Sequence, residues 1–466
     1  MDLTQSSQRT NLITITLLII ALITSFFSIL YFDIPFFKNF YLWFIEPHKT
    51  PLNLNYIYFA LACLLIATGA ALSKAKTIVK LFLILLTGVI IHYAFGLAKG
   101  NIDYIKDRMI HTGHASYIGL AINTENVPGF IQNYETASNN GSMGSYAPTK
   151  PPGTALIYIV YDRLASALNG ESKQRAEKLI NLATYTWPLI SYIPVILIFI
   201  FGRKIIGDQN AIIASLLYVT IPSVNLINLH TDQTFYPSLG LLSGILLLNS
   251  VRVRLLTQAF LAGCIFFLAT FLSFGMAPLM ILFFGAIFLT NPVVLSLKIM
   301  AVFLSGFLLA WLPLYLFFDY NHYSRYLSAI TYHQNSKGWE GTWDVFFAAN
   351  ITNIVEYLIW IGLPISTLLV YSMLTFWRKE KRLNRLYVAM AISLMATFLF
   401  LLIFGKTKSE TARLWMYLNP FVCIYCACVI ADLTKFSLLA KKSFTFFIII
   451  FQFFANFLIL RFLDFI

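Results

Sequence analysis

The chain has 466 residues, of which 59% are hydrophobic and only 11% are charged. Soluble domains carry about 25% charged residues, so this composition excludes a soluble globular protein and indicates an integral membrane protein. The formal net charge of +13 is explained by a bias of basic residues toward the inner face and by contact with anionic headgroups. Because no motif that reads bases is present, we expect membrane lipids, and no nucleic acid, as partners.

Apolar runs of spanning length recur along the chain and predict about thirteen transmembrane helices. The first run has no small-residue cleavage site, which predicts a retained helix. The sequence therefore predicts an all-α polytopic protein of the inner (plasma) membrane. The predicted spans are 11–32, 54–73, 77–98, 180–202, 211–229, 236–251, 256–274, 276–291, 297–318, 353–376, 387–404, 413–431 and 443–463.

Basic residues set the predicted orientation. With the N-terminus inside, basic clusters such as Arg203–Lys204 and 378–385 face inward, as the positive-inside rule requires. The odd number of spans then puts the C-terminus outside and leaves two long outer loops, 99–178 and 319–352. We divide the chain into an additional N-terminal hairpin (1–76), a core (77–432) and a C-terminal transmembrane helix (433–466).

The first outer loop ends in the stretch "SYAPTKPPGTALIYIVYDRL" (Ser145–Leu164). Pro151 and Pro152 lack a donor and fix φ, so they predict the start of a helix. They hold Lys150 at a rigid corner, where an ammonium group suits a phosphate; the alternative is a lysine that snorkels to headgroups. The apolar run behind them is too short to span before it reaches Asp162, which predicts an amphipathic helix at the outer interface.

The same loop also holds candidate bases and metal ligands. They are Asp103, Asp107, His111, His114, Glu125 and Glu135. His111 and His114 are three residues apart and would share one face of a helix. This set permits a divalent metal without demanding one, and the alternative is a solvated loop with incidental ionisable groups.

Two short outer segments carry further polar residues. "HTDQTFYP" places His230 and Asp232 at the outer membrane boundary, where Asp232 is either functional or a helix N-cap. "KSETARLW" places Glu410 and Arg413 three residues apart, a spacing that favours an ion pair. Arg413 near the interface either binds a lipid phosphate or snorkels.

Taken together, these motifs resemble the C-type superfamily of membrane glycosyltransferases (GT-C). Within it they resemble the bacterial branch related to protein O-mannosyltransferases (glycosyltransferase family 39) and the lipid A aminoarabinose transferases. Those enzymes have a first outer loop ending in Lys-Pro-Pro or His-Pro-Pro, then an acidic residue in the next outer turn, and in a subset Glu-x-x-Arg-hydrophobic-Trp. The counterparts here are "PTKPPGTALIY", "HTDQTF" and "ETARLW". One departure is Gly113-His114, which stands where the family usually has an acidic pair.

The resemblance implies transfer of a sugar from a polyprenyl-phosphate-linked donor to a lipid, glycan or protein acceptor at the outer, periplasmic face. It implies that Lys150 and Arg413 bind the donor phosphate and that Asp232 positions the acceptor or sugar, or assists a metal. The base is left open among Asp103, Asp107 and His114. The supporting residues are His230, Glu410, Pro151 and Pro152. The alternative is a non-enzymatic transporter or flippase of lipid-linked sugars, which predicts polar residues deep in several spans.

Overall fold

The computed structural model describes residues 3–37, 40, 48–110, 115–144, 146–169, 174–226, 231–253, 255–336, 342–379, 384–404, 407 and 410–463. All regular secondary structure in these ranges is helical. A chain this apolar satisfies its backbone polar groups inside a bilayer by forming helices. The predicted all-α polytopic membrane class is therefore confirmed for the described part of the chain.

The helices follow one another in the order that the hydropathy pattern predicts. Before and within the first outer loop they are α1 (Leu3–Tyr31), α2 (Leu54–Leu72), α3 (Thr77–Lys99), α4 (Ile102–Ile110), α5 (Ala115–Asn123), α6 (Val127–Gln132), α7 (Tyr134–Asn139) and α8 (Gly153–Asn169). The middle of the chain forms α9 (Arg175–Ser191), α10 (Pro194–Ile206), α11 (Asp208–Tyr218), α12 (Pro222–Leu226), α13 (Thr231–Val253), α14 (Leu256–Leu272), α15 (Leu279–Thr290) and α16 (Val293–Phe318). The last third forms α17 (His322–Ser336), α18 (Trp343–Trp360), α19 (Leu363–Lys379), α20 (Arg385–Ile403), α21 (Thr411–Leu414), α22 (Asn419–Leu433) and α23 (Leu438–Phe462).

By length and composition, nine of the described helical segments can cross a membrane, or ten if α18 and α19, bent by 120°, count as one span. The other three predicted spans coincide with shorter helices. The segment 211–229 is not one helix, because α11 ends at Tyr218 and Pro222 starts α12. At 1.5 Å per residue, the 11 residues of α11 measure about 17 Å, against about 30 Å of hydrocarbon. The count of thirteen therefore stays a prediction.

Contacts between loops show which loops lie at the same end of the bundle. At the end predicted to be outside, backbone hydrogen bonds join Asn53 to Ala98 (2.8 Å) and Thr50 to Arg461 (2.9 Å). At the other end, side-chain hydrogen bonds join Gln209 to Ala71 (3.2 Å) and Lys441 to Asn210 (2.5 Å). The loops assigned to one face thus meet at one end, although which face is the inner one stays a prediction.

The helix behind the two prolines, α8, has one apolar exposed stripe. Val160, Leu164 and Leu168 recur every four residues and are all exposed. Asp162 lies on the opposite, buried side, 2.5 Å from the guanidinium of Arg175. The helix continues past Asp162 to Asn169. The ion pair with Arg175 compensates the buried carboxylate of Asp162. The amphipathic helix is confirmed, and its place at the membrane surface stays a prediction.

Candidate active site

Lys150 lies at a corner between a 3-10 turn at Ala147–Thr149 and the start of α8. Its backbone is extended, with φ −131° and ψ 160°, which is the conformation that a following proline favours. The buried hydroxyl of Tyr134 lies 3.1 Å from the carbonyl oxygen of Ala147 and 3.3 Å from that of Lys150. One donor thus holds both sides of the corner, and the rigid corner predicted from Pro151 and Pro152 is present.

The corner rests directly on the backbone of α14. A Cβ added at Gly153 would lie 2.1 Å from the carbonyl oxygen of Phe271, so the close approach requires glycine. The hydroxyl of the next residue, Thr154, donates to the carbonyl of Leu272 at 3.0 Å. Since the carbonyls at the end of a helix lack partners within it, this bond satisfies one of them. The glycine after the prolines therefore determines how closely the corner packs against α14.

The second outer loop fixes the corner from the other side through Arg325 of α17. This side chain is 1% exposed. Its guanidinium donates to the carboxylate of Glu135 at 3.0 Å and to the carbonyl of Pro148 at 2.6 Å. Because Pro148 lies two residues before Lys150, the two long loops form one structural unit around the lysine.

The segment "ETARLW" forms the opposite side of the site. Glu410 precedes α21 in a left-handed conformation, with φ +63°, which is uncommon for a residue with a side chain. Its carboxylate accepts a hydrogen bond from Arg413 at 2.7 Å. The ion pair predicted from the three-residue spacing is present, although Glu410 caps the short helix instead of lying within it.

Two polar residues of α18 hold this segment in place. The buried carboxyl of Glu356 accepts the N–H of Ala412 at 3.0 Å. Asn353 donates to the carbonyl of Thr407 at 2.7 Å and accepts from the hydroxyl of Thr411 at 2.9 Å through its own carbonyl. Buried N–H and C=O groups need such partners, so α18 fixes the backbone that carries Arg413.

Lys150 and Arg413 are both 7% exposed, and they lie within electrostatic reach of each other. Burial lowers the pKa of Lys150 well below its usual range, and the guanidinium of Arg413 lowers it further, against the opposing effect of Glu410. Burial acts to lower the pKa of Arg413 too, but Glu410 and Tyr146 outweigh it and the pKa is raised. An added anion would stabilise the charged form of a buried lysine that lies near a permanent cation.

Aromatic side chains surround the guanidinium. The Tyr146 ring centroid lies 5.9 Å from Cζ of Arg413, within cation–π range. Tyr117 and Tyr236 are buried within electrostatic reach of the same group. Nε of Arg413 is buried, and among the described residues it has no hydrogen-bond acceptor. The site thus presents a donor that is ready for an anionic ligand.

The predicted acid–base residues of the first loop are not all placed. Asp103 begins α4 with its carboxylate exposed, 3.7 Å from the ammonium of Lys106. None of its described contacts involves Lys150 or Arg413. Asp107 follows one turn later in α4, and its side chain is outside what the structure describes; His111 and His114 lie outside the described residues altogether. The identity of the base therefore stays a prediction.

The acidic residue of the second motif lies on an element that reaches the site. Asp232 is in the first turn of α13, one turn before Tyr236, whose hydroxyl lies within electrostatic reach of Arg413. The side chain of Asp232 and all of His230 lie outside the described residues. The structure brings the start of α13 to the site, and the roles of these two residues stay predictions.

Metal binding is not supported by the described residues. Among them, no group of three or more His, Cys, Asp or Glu side chains is arranged to hold an ion. Asp103, Glu125 and Glu135 belong to that set, but Asp107, His111, His114 and Asp232 fall outside it, so the possible divalent metal stays untested.

Sequence reasoning missed Arg325, Glu356 and Tyr146 as parts of the site. Arg325 is an isolated arginine in a long polar loop, which carries no local signal. Glu356 is a carboxyl residue within an apolar run, and such residues are functional by default in a membrane segment. That signal was available for Glu356 alone.

Comparison with solved structures agrees with this architecture. The chain is similar to the crystal structure of an Archaeoglobus fulgidus oligosaccharyltransferase, described as a complex with Zn and sulfate, with a TM-score of 0.52 and 13% sequence identity. The match covers 80% of this chain and 53% of that chain, so the chain spans about half the length of that enzyme. At this identity the likeness shows the fold alone. No protein-family model matches, and no curated protein matches.

Proposed function

We propose that this protein is a GT-C membrane glycosyltransferase. In this proposal it moves a sugar from a polyprenyl-phosphate-linked donor to a lipid, glycan or protein acceptor at the outer, periplasmic face of the inner membrane. The observation that carries the proposal is that Lys150 and Arg413, which come from motifs far apart in the chain, are both buried and lie within electrostatic reach of each other. In that site Nε of Arg413 has no hydrogen-bond acceptor among the described residues. The fold shared with an oligosaccharyltransferase supports the same class of chemistry.

The chemistry requires stabilisation of charge on the leaving phosphate. When the bond from the sugar to the phosphate oxygen breaks, that oxygen gains negative charge, and preorganised donors in a dry site stabilise it strongly. Arg413 offers a planar fork that suits phosphate oxygens, and Lys150 offers a compact charge. Glu410 fixes the guanidinium through its 2.7 Å contact. The corner and α18 hold both cations before the donor arrives.

The acceptor hydroxyl needs a base and a position beside the sugar. In the proposal a carboxylate or imidazole of the first loop, Asp103, Asp107 or His114, removes its proton. Asp232 orients the acceptor or the sugar from the first turn of α13. The exposed position of Asp103 favours the other two candidates or a rearrangement of α4 when the donor binds.

A transporter would need a polar path through the bundle. Buried amides do occur deep in the helices, but these have partners on other helices: Asn225 donates to Asn456 at 3.1 Å, and Asn419 accepts from the hydroxyl of Tyr357 at 3.1 Å. None of these four residues lines the groove between α10, α13, α15 and α20 or the smaller cavity next to it. They serve as interhelical hydrogen bonds that join neighbouring helices, and this favours the enzyme.

The test is transfer by purified protein with a polyprenyl-phosphate sugar fraction extracted from the native membrane. Lys150→Ala and Arg413→Ala should each abolish transfer while the protein elutes and melts as wild type does. Lys49→Ala, which removes an exposed cation from the loop before α2 at the same end of the bundle, is the matched control and should retain activity. Full transfer by both site variants would show that the proposal is wrong.

A reporter that is active in the periplasm tests the face. Fused after Lys99 it should be active, and fused after Arg382 it should be inactive. Activity at the second position would reverse the predicted orientation and would place the site on the inner face.

A further inference from the structure

A second site lies at the opposite end of the bundle from Lys150. A groove of about 300 Å³ opens between α10, α13, α15 and α20. Its walls are mainly apolar; they include Leu247, Leu248, Phe283, Ala286 and Ile287. A smaller apolar cavity continues from it toward α22 and shares Phe201 and Met390 with it. The groove is therefore apolar along its walls, as a hydrocarbon chain requires.

The mouth of the groove is basic. Arg252 at the end of α13 and Arg385 at the start of α20 both line it and are exposed. Arg252 donates one N–H to the carbonyl of Lys204 at 2.5 Å, and Arg385 donates its Nε–H to the carbonyl of Leu289 at 3.3 Å. Each guanidinium has five donors, so these bonds orient the two groups and leave further N–H donors for a ligand.

The remaining polar side chains at the mouth are neutral. They are Thr290, Asn291 and Asn384, and none of the described residues that line the groove is acidic. An apolar groove that ends in two cations and neutral hydrogen-bonding groups is complementary to an amphiphile with an anionic head. Its end of the bundle is also the one at which the predicted inner-face basic residues gather.

We propose that this groove binds an anionic phospholipid of the surrounding bilayer, with one acyl chain between α13 and α15 and the phosphate at Arg252 and Arg385. Basic pockets between transmembrane helices on the cytoplasmic side bind anionic headgroups in this way. A free phosphate ion gains nothing from the apolar walls, and a zwitterionic lipid gains less from two guanidinium groups at the mouth of the groove. The site is separate from the proposed active site and does not depend on its chemistry.

Native mass spectrometry of the purified full-length protein tests this. Dioleoyl phosphatidylglycerol and dioleoyl phosphatidylcholine are added to the detergent micelles at equal concentration. Two arginines near a lipid surface predict about 30-fold preference for the anionic lipid. The variant Arg252→Gln/Arg385→Gln should reduce that preference to near one, and Ala286→Phe, which fills the groove, should reduce retention of both lipids.

The matched control is Arg203→Gln/Lys298→Gln. It removes the same charge from exposed residues of the same end that do not line the groove, and it should keep the wild-type preference. Equal retention of the two lipids by the wild type overturns the proposal. So does an equal loss in the control variant, which would mean general attraction to the basic surface. If the double arginine variant fails to fold, judged by gel filtration, Ala286→Phe decides whether the chain lies in the groove.

Discussion

Replacing Arg325 with Met should loosen the Lys150 corner without touching either cation of the site. Methionine keeps most of the apolar stem but removes the hydrogen bonds to Glu135 (3.0 Å) and to the carbonyl of Pro148 (2.6 Å). The Pro148 carbonyl then loses a charged donor in a buried place. Glu135, whose side chain is 38% exposed, returns to water at little cost.

The magnitude follows from these two contacts. A hydrogen bond to a charged group contributes about 1.5–3 kcal/mol, and a half-exposed ion pair adds about 0.5 kcal/mol. The local free energy of opening should therefore fall by about 2–3.5 kcal/mol. Since 1.4 kcal/mol is tenfold, opening becomes about 30- to 300-fold more frequent.

Amide hydrogen exchange measures this opening at the affected turn. The N–H groups of Thr149 and Lys150 donate to the carbonyls of Tyr146 and Ala147, both at 3.1 Å, so they exchange only when the turn opens. The control is Arg163→Met, because Arg163 donates to the carbonyls of Thr124 and Glu125 from an exposed position and should leave this turn unchanged. Unchanged exchange at Thr149 and Lys150 in Arg325→Met would refute the idea that α17 holds the corner.

Three further predictions concern the same site. The kcat/KM of transfer should fall as the pH rises through the pKa of Lys150, because only the ammonium form attracts phosphate. That pKa is lowered well below the usual value of about 10.4. Lys150→Arg should remove this fall at alkaline pH, and a fall that persists in that variant contradicts the assignment. Gly153→Ala should lower the free energy of unfolding by about 1–3 kcal/mol, since the added Cβ would clash with the backbone of Phe271. Gly119→Ala is the control, because Gly119 has open space around it, and it should not lower the free energy of unfolding. Thermal melts in detergent compare the two variants. Glu356→Ala leaves the buried N–H of Ala412 without its acceptor at a cost of about 1–3 kcal/mol, and it should slow transfer. Glu356→Gln keeps an acceptor oxygen and should keep most of the rate. Equal rates in the two variants would exclude a positioning role.

Local patterns predicted much of the fold and part of the site. Apolar run length alone locates the helices, because a bilayer requires long apolar stretches. Two prolines after Lys150 predict the corner, since each fixes its own φ and restricts the residue before it. The Glu410–Arg413 pair follows from a three-residue spacing. Each of these features depends on residues close together in the chain.

The segment 211–229 shows where such patterns fail. Its composition is mainly apolar, yet the helix breaks between Tyr218 and Pro222. The buried Asn225 beyond the break bonds to Tyr192 at 2.6 Å and to Asn456 at 3.1 Å. A break of this kind is stable because distant helices supply its polar partners.

Tertiary structure alone decided which polar residues share a site. The sequence by itself determined that Lys150 stands at a rigid corner and that Arg413 pairs with Glu410, because both are consequences of local backbone geometry. It does not determine that Lys150 meets Arg413, or that Arg325 and Glu356 hold the two segments, since these contacts join residues 177 and 56 positions apart. Only the packing of α8, α14, α17 and α18 brings them together, and that packing depends on the shapes of whole helices.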